Sequence, residues 1–156
     1  MRISDGRSEG MMAFDYSACC RWLLAATGAS RATIRLANPA GVPELVGEAV
    51  ADGVGSIRDS TPVNAALYPT YQYLVRTHDL LIQNDTRTHP VRPPEILVDE
   101  LRVYAQMLAP IVRHAAVVGV ISVHVQGRPH HFDARQVAAL RETRRLLQAD
   151  PTRSDR

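Results

Sequence analysis

Two polar side chains interrupt an otherwise apolar strand pattern near the end of the chain. Ser122 and His124 share their parity with Val118 and Val120, so all four are predicted to point to one face of a strand. If that face borders a cavity, His124 could hydrogen-bond an acid or a phenol, act as an acid or base, or ligate haem iron through a ring nitrogen. The alternative is a histidine without a chemical role at the solvent-covered end of the strand.

Aromatic side chains cluster in the middle of the chain, where three of the five tyrosines fall within six residues. Tyr68 and Tyr71 are flat, rigid and tipped with a hydroxyl, which suits the wall of a pocket for an aromatic or partly apolar ligand. Met107, on a later strand, would add a soft wall to the same pocket. The alternative for both residues is ordinary packing: helical spacing would place Tyr71 in the core, and Met107 would fill space within the core.

Polar residues also follow the predicted third strand and occupy the loop after it. Asn84 and Asp85 could donate and accept hydrogen bonds toward a ligand, although Asp-Thr is also an ordinary start of a turn. Arg92 lies in a proline-rich loop, where it could pair with a ligand carboxylate. A solvated loop arginine is the alternative.

The composition excludes several kinds of chemistry. All 18 basic residues are arginine, so no lysine is available for a Schiff base, a pyridoxal-phosphate enzyme or a Walker A loop. The six histidines show no HxxxH or HExxH spacing, and no GxSxG motif presents a nucleophile. The net charge of +2 gives no argument for a nucleic acid partner. We therefore predict no catalytic residue and no metal site.

Hydrophobic periodicity predicts the elements that must position these residues. One domain over residues 13–149 is expected, with a disordered segment at 1–12 and a polar tail at 150–156. Pro69 is expected to end or kink the helix that begins after Thr61-Pro62. The final helix has clear signals, with Asp133 as N-cap and Gln136 in a capping box. The predicted elements are a helix from Asp15 closed by Gly28, strands at 32–37 and 45–51, the broken helix, a strand at 80–85, a short helix from Pro93-Pro94, strands at 105–112 and 116–126, and the final helix.

The run AAVVGVISVHV in the last strand is apolar on both parities, which predicts burial on both faces of the sheet. Helices must then cover each face. The fold class is therefore α+β, with a sheet between helices.

Three stretches of the sequence resemble the GAF domain family, small sensory modules of bacterial signalling proteins. LLAATGASRATIRLA resembles the first helix and strand of the family, and HDLLIQNDTRTHP resembles its third strand and following loop. AQMLAPIVRHAAVVGVISVHVQGRPHHFDARQVAAL resembles its last hairpin and helix. The resemblance covers about Ser17 to Leu147.

The resemblance implies a GAF/PAS-like antiparallel sheet of five or six strands, flanked by helices on both faces. It also implies a ligand cavity between one face and the middle helices and loops. GAF ligands vary, so the cofactor stays unknown, with haem a minor candidate. The cyclic-nucleotide signature of the family contains a lysine that this chain lacks. Bilin-binding members need a thioether cysteine beside the cavity, whereas Cys19 and Cys20 lie on the first helix, and methionine sulfoxide-reducing members need cysteines that are also missing.

These observations predict a cytoplasmic regulatory GAF domain without its own output domain, which binds a small partly apolar or aromatic ligand and signals to a protein partner. The resemblance implies a homodimer through the first and last helices, where Trp22 and the cluster Arg141, Arg144 and Arg145 would face the second subunit. No signal peptide and no membrane span is recognised. Two alternatives remain open: a small enzyme with His124 as acid or base, and a ligand-free dimerising scaffold.

Overall fold

The computed structural model describes residues 14–149 of the chain. The predictions for residues 1–12 and 150–156 lie outside this range. Its elements, in chain order, are α1 (Tyr16–Thr27), β1 (Arg31–Ala37), β2 (Pro43–Val50), two short 3-10 turns (Ile57–Asp59 and Ala65–Leu67), α2 (Pro69–Thr77), β3 (Leu81–Gln83), α3 (Glu95–Asp99), β4 (Val103–Arg113), β5 (Ala116–Gln126) and α4 (Ala134–Gln148).

Capping groups in the sequence mark the start of both long helices, α1 and α4, and the end of α1. The Asp15 carboxylate accepts a hydrogen bond from the backbone N–H of Ala18 at 2.8 Å, and Gly28 ends α1 in the left-handed region at φ 67°. At the start of α4, Asp133 accepts from the N–H of Gln136 at 2.8 Å, while the Gln136 amide oxygen accepts from the N–H of Asp133 at 2.9 Å. The predicted capping box and the glycine cap are both confirmed.

The prediction for Pro69 is wrong. No helix spans Thr61 to Pro69; a 3-10 turn covers Ala65–Leu67, and α2 begins at Pro69 itself. The N–H at the first helical position has no acceptor within the helix, so proline loses nothing there by lacking an N–H, and its fixed φ is already helical. Tyr68, directly before it, is extended, as a residue preceding proline prefers.

All five strands form one antiparallel sheet in the order β2-β1-β5-β4-β3. The two terminal helices, α1 and α4, pack on one face of this sheet and bury the main apolar core, which includes Leu23, Ile34, Ile121 and Leu140. The predicted α+β architecture, with helices on both faces of an antiparallel sheet, is confirmed. None of the helices between residues 14 and 149 has the length and apolarity that crossing a lipid bilayer requires.

The second face of the sheet is covered less completely. A smaller apolar cluster joins α2 to the sheet through Tyr71, Leu74, Leu81, Leu108 and Val120. The rest of the cover consists of α3 and the irregular segment between β2 and α2. Because short and irregular elements pack loosely, this side retains a cavity.

Candidate functional site

The cavity lies between the second face of the sheet and its irregular cover. It has an inner hollow of about 80 Å³ over the strands and an adjoining outer hollow of about 190 Å³ toward α3. Both hollows are lined by Arg35, Ile57, Val63, Pro94 and Leu97, so they are neighbouring parts of one site.

Polar residues from three strands form the floor of the inner hollow. Strand alternation directs Thr33 and Arg35 of β1 and Ser122 and His124 of β5 to this face. In the antiparallel register Thr33 lies opposite Ser122, and His124 lies opposite Gln106 of β4. Thr33, Gln106, Ser122 and His124 are all buried. The floor is therefore a continuous polar patch beneath an apolar cover.

Arg31, at the start of β1, anchors one end of this floor. Its side chain is 1% exposed, and its Nη1 lies 3.1 Å from Nδ1 of His124. Its Nη2 donates to the backbone oxygen of Gly55 at 2.9 Å and also to the amide oxygen of Gln126. The buried Nε makes no hydrogen bond, but it lies 3.7 Å from the Oε2 atom of Glu48. The guanidinium thus ties β1 to β2, to β5 and to the segment after β2.

Glu48 is the anion of this network, and its side chain is only 7% exposed. Its Oε1 accepts from the Ser56 hydroxyl at 2.6 Å, and its Oε2 accepts from the Ile57 N–H at 2.7 Å. Arg58 reaches Oε1 at 3.4 Å from the solvent side. The carboxylate therefore holds the first turn of the cavity cover against the sheet.

The contact with Arg31 determines which nitrogen of His124 carries a proton. A guanidinium has only donors, so Nδ1 of His124 must accept. Burial, and then the charges of Arg31 and Arg35, hold the pKa of His124 well below 6.5, so the ring is neutral at pH 7. A neutral ring that accepts at Nδ1 carries its proton on Nε2. The cavity therefore has a fixed N–H donor at His124.

Two glutamines join the floor to the loop after β3. The Gln106 side-chain amide donates to Oε1 of Gln83 at 2.7 Å, and Gln83 donates to the backbone oxygen of Val91 at 2.6 Å. Thr86 is also fixed, because its N–H and hydroxyl both donate to backbone oxygens at the start of β4. This loop is anchored to the sheet, and it brings Pro94 into the cavity wall.

Three of the residues that the sequence singled out line the cavity together. Ser122 and His124 lie in its floor, and Tyr71 lies in its wall beside α2. The hydroxyl of Tyr71 has a raised pKa because of burial. The other tyrosine, Tyr68, lines a separate surface hollow together with Arg92.

The remaining predicted site residues do not line the cavity. Asn84 accepts from the N–H of Phe132 at 3.2 Å, and Asp85 accepts from the N–H of Arg87 at 3.0 Å, so both organise loops. Arg92 is exposed and donates to the backbone oxygen of Arg87. We correct the assignment of Met107, which is fully buried in the core beneath the terminal helices. Its neighbours in β4 have the opposite parity and face the cavity.

Arg31, Arg35 and Glu48 belong to the site but were not recognised in the sequence. The signal for the two arginines was present in the alternation of β1, which gives them the parity of Thr33. An alternating strand usually has one solvated face, so alternation alone does not identify these arginines as cavity residues. Among residues 14–149, no group of three histidine, cysteine or acidic side chains is placed to hold a metal ion.

The sequence matches no protein-family model and no curated protein. Solved structures do match it. GAF3 of a Synechocystis sp. PCC6803 protein, in its photoproduct state, superposes with a TM-score of 0.70 at 19% identity, over 86% of this chain and 89% of that one. The blue-light-absorbing form of the PixJ GAF domain from Thermosynechococcus elongatus gives 0.69 at 15% identity, over 85% and 82%. A far-red-absorbing dark state with bound biliverdin gives 0.67 at 17% identity, over 85% of each chain.

The biliverdin-bound neighbour belongs to a ligand class that the sequence argued against. The residues of this chain do not fit a thioether-linked bilin, because no cysteine lines either hollow of the described cavity. Cys20 lies in the core beneath the opposite face, where burial raises the pKa of its thiol to about 12.

The solved neighbours and this chain share one architecture across more than four fifths of both lengths. At these sequence identities, the structural similarity shows that the fold is shared, but it does not identify a ligand of this chain. The fold of this chain is that of the GAF domains.

Proposed function

We propose that this chain is a sensory GAF domain that binds a small, partly apolar molecule in the cavity and passes the ligand state to a protein partner. The observation that carries this proposal is the buried polar floor of Ser122, His124 and Thr33 beneath an apolar cover. Buried polar groups are costly to retain where only packing is needed, and a few placed polar groups in an apolar hollow are typical of ligand sites. The likeness to light-sensing GAF structures supports a sensory role.

The environment of His124 favours binding over acid catalysis. Its lowered pKa keeps the ring neutral at pH 7, so there is no imidazolium proton to give as an acid. Its Nδ1 accepts from Arg31, so the lone pair that a base would use is already engaged. As a fixed Nε2–H donor it can instead orient a ligand acceptor. We therefore favour a ligand-binding role over the alternative of an enzyme with His124 as its acid or base.

Ligand binding at this floor should be lost when the inner hollow is filled. Ser122→Met adds a long side chain to the floor, and Ala26→Met on the exposed side of α1 serves as the control. Native mass spectrometry and an absorption spectrum of the purified protein would show any bound molecule, and a thermal-shift screen would find others. We expect ligand-induced stabilisation in the control and none in Ser122→Met. Equal stabilisation of both variants would refute the site, and no ligand in any assay would favour the dimerising scaffold.

We also propose that the protein is a cytoplasmic homodimer formed through α1 and α4. These helices lie side by side, and each exposes a large apolar side chain: Trp22 is 50% exposed and Leu146 is 42% exposed. Cys19 and Cys20 are free thiols, which supports a reducing compartment.

The arginines of α4 contribute less to this surface than the resemblance implied. Arg144 donates to Gln148 and to the backbone oxygen of His78, and Arg145 pairs with Glu142 at 2.6 Å. These two side chains are engaged within their own protomer. The apolar side chains are therefore the better target for a test.

Light scattering after size-exclusion chromatography would test the homodimer. The double variant Trp22→Glu with Leu146→Glu should elute as a monomer, because it places charges in the proposed interface. Leu67→Glu is the matched control, since Leu67 is 70% exposed on the other side of the sheet. A monomeric parent protein, or an unchanged mass in the double variant, would refute the interface.

A further inference from the structure

Arg35 is the one cavity-lining arginine that the protein leaves without a close partner in the described part of the chain. It is half-buried in β1 and lines both hollows. Its guanidinium makes no hydrogen bond and no ion pair within 4 Å to any residue in 14–149. Burial lowers its pKa, so the surroundings do not favour its charge. Because the side chain is only half-buried, solvent reaches the guanidinium, and an anionic ligand that enters the hollows can reach it as well.

The nearest anion does not pair with Arg35. Burial lowers the pKa of Arg35 more than the charge of Glu48 raises it. This carboxylate binds the Ser56 hydroxyl and the Ile57 N–H and lies within 4 Å of Arg31 and Arg58. Arg31 and Arg58 thus share this carboxylate, and Arg35 has no acidic partner within 4 Å among the described residues. Neither hollow is lined by an aspartate or a glutamate. An acidic partner for Arg35 would therefore be supplied by a ligand.

The walls around Arg35 determine what kind of anion fits. The outer hollow is lined mainly by apolar side chains, namely Leu45, Ile57, Val63, Ile96, Leu97 and Leu101, together with two prolines. A multiply charged ligand would place much of its charge against these walls and close to Glu48. A single carboxylate on an apolar body instead matches the planar guanidinium at one end and the walls along its length.

We propose that the cavity binds a small carboxylic acid with an aliphatic or aromatic body, whose carboxylate pairs with Arg35. This inference rests on the proposed function and specifies its ligand class. The apolar body lies between the segment over residues 57–63 and α3. Thr61 of that segment donates to Glu100 at 3.0 Å, so the two walls are already joined at the surface.

Matched pairs of acids and amides test the charge of the ligand while keeping its shape. Benzoate and hexanoate would be compared with benzamide and hexanamide by isothermal titration calorimetry, with inorganic phosphate as a further probe. We expect each acid to bind at least about tenfold more tightly than its amide, since a charge-assisted pair is roughly twice as strong as a neutral one. Arg35→Gln should bring the acid to the affinity of the amide. Arg128→Gln, at an exposed arginine in the loop after β5, should leave all affinities unchanged.

The outcomes separate this inference from the proposed function. If acid and amide bind equally and Ser122→Met blocks both, the cavity binds ligands but Arg35 does not select acids, which overturns the inference alone. Phosphate binding as tight as that of the acids would also overturn it, because the apolar body would then contribute nothing. If no probe binds, and native mass spectrometry finds no ligand, both proposals fail. The comparison on the unaltered protein remains decisive even if Arg35→Gln does not fold.

Discussion

The buried pair of Arg31 and Glu48 should be a major determinant of stability, and Glu48→Gln tests this. The glutamine keeps one oxygen to accept from Ser56 or from the Ile57 N–H, but it removes the carboxylate that lies 3.7 Å from a guanidinium that is 1% exposed. Breaking a buried pair by removing one partner typically costs about 3–5 kcal/mol. Arg31 keeps its other acceptors, so we expect a loss near about 3 kcal/mol.

This loss is large compared with the total stability of a domain, which is about 5–15 kcal/mol. At roughly 2–4 °C per kcal/mol for a chain of this size, the melting temperature should fall by roughly 6–12 °C. Urea unfolding followed by circular dichroism would give the free energy of unfolding by linear extrapolation. Glu142→Gln is the control, because its pair with Arg145 is exposed and should barely change the unfolding midpoint.

A double-mutant cycle isolates the interaction itself. Arg31→Met removes the cation, and the double variant with Glu48→Gln no longer contains an unpaired buried charge at this position. We expect a coupling free energy of about 2 kcal/mol, within the range for residues in one network. Additive effects within about 0.5 kcal/mol, or a loss below about 1 kcal/mol in Glu48→Gln alone, would refute the reasoning.

Three further changes probe the floor, the strand spacing and the last helix. Burial and two neighbouring arginines lower the pKa of His124 well below 6.5, so the unfolded chain binds the extra proton and stability must fall as pH drops below 6.5. The free energy of unfolding, measured in urea, should therefore fall less between pH 7 and pH 5 in His124→Gln than in the unaltered protein. An equal fall in both proteins would contradict a lowered pKa of His124. A Cβ at Gly119 would collide with the backbone oxygen of Arg35, so Gly119→Ala should lower the free energy of unfolding by about 1–3 kcal/mol. A Cβ at Gly55 meets nothing within 4 Å, so Gly55→Ala is the control and should change little. Equal urea midpoints of the two variants would argue against this packing. Asp133→Ala should cost about 1 kcal/mol through loss of the capping box, measured in the same way, and no loss would show that the cap is dispensable.

Helix boundaries were predictable from the sequence where a short-range capping signal marks them. The capping box at Asp133 and the glycine at position 28 are short-range chemistry, and both helix boundaries follow from them. The prediction for Pro69 was wrong because proline can either interrupt a helix or occupy its first turn, and the sequence alone does not distinguish the two roles. The segment between β2 and α2 has no period from which its path could be predicted.

The candidate site was predictable only in part, because strand parity gives the face of a residue but not what covers that face. Ser122 and His124 stood out against apolar neighbours, and the structure places both in the floor. Met107 was misassigned because β4 is apolar on both parities. Its neighbour Gln106, which lies opposite His124, was the better marker of the cavity face. The parity of Arg35 placed it on the face of Thr33, but parity could not distinguish a cavity residue from a solvated one, because an arginine in an alternating strand is normally solvated.

The two faces of the sheet show why the polar floor points to ligand binding. The face beneath α1 and α4 is packed with apolar side chains such as Ile34 and Ile121, which shows that this sequence can fill a sheet face in the ordinary way. On the other face the same strands hold Arg31 and His124 in hydrogen-bond contact and bury Thr33, although apolar residues of similar volume are often as stable or more so. Donors that are already held in place lose little entropy when a ligand arrives. A polar floor that is costly for folding but prepared for an acceptor therefore supports the proposed ligand site.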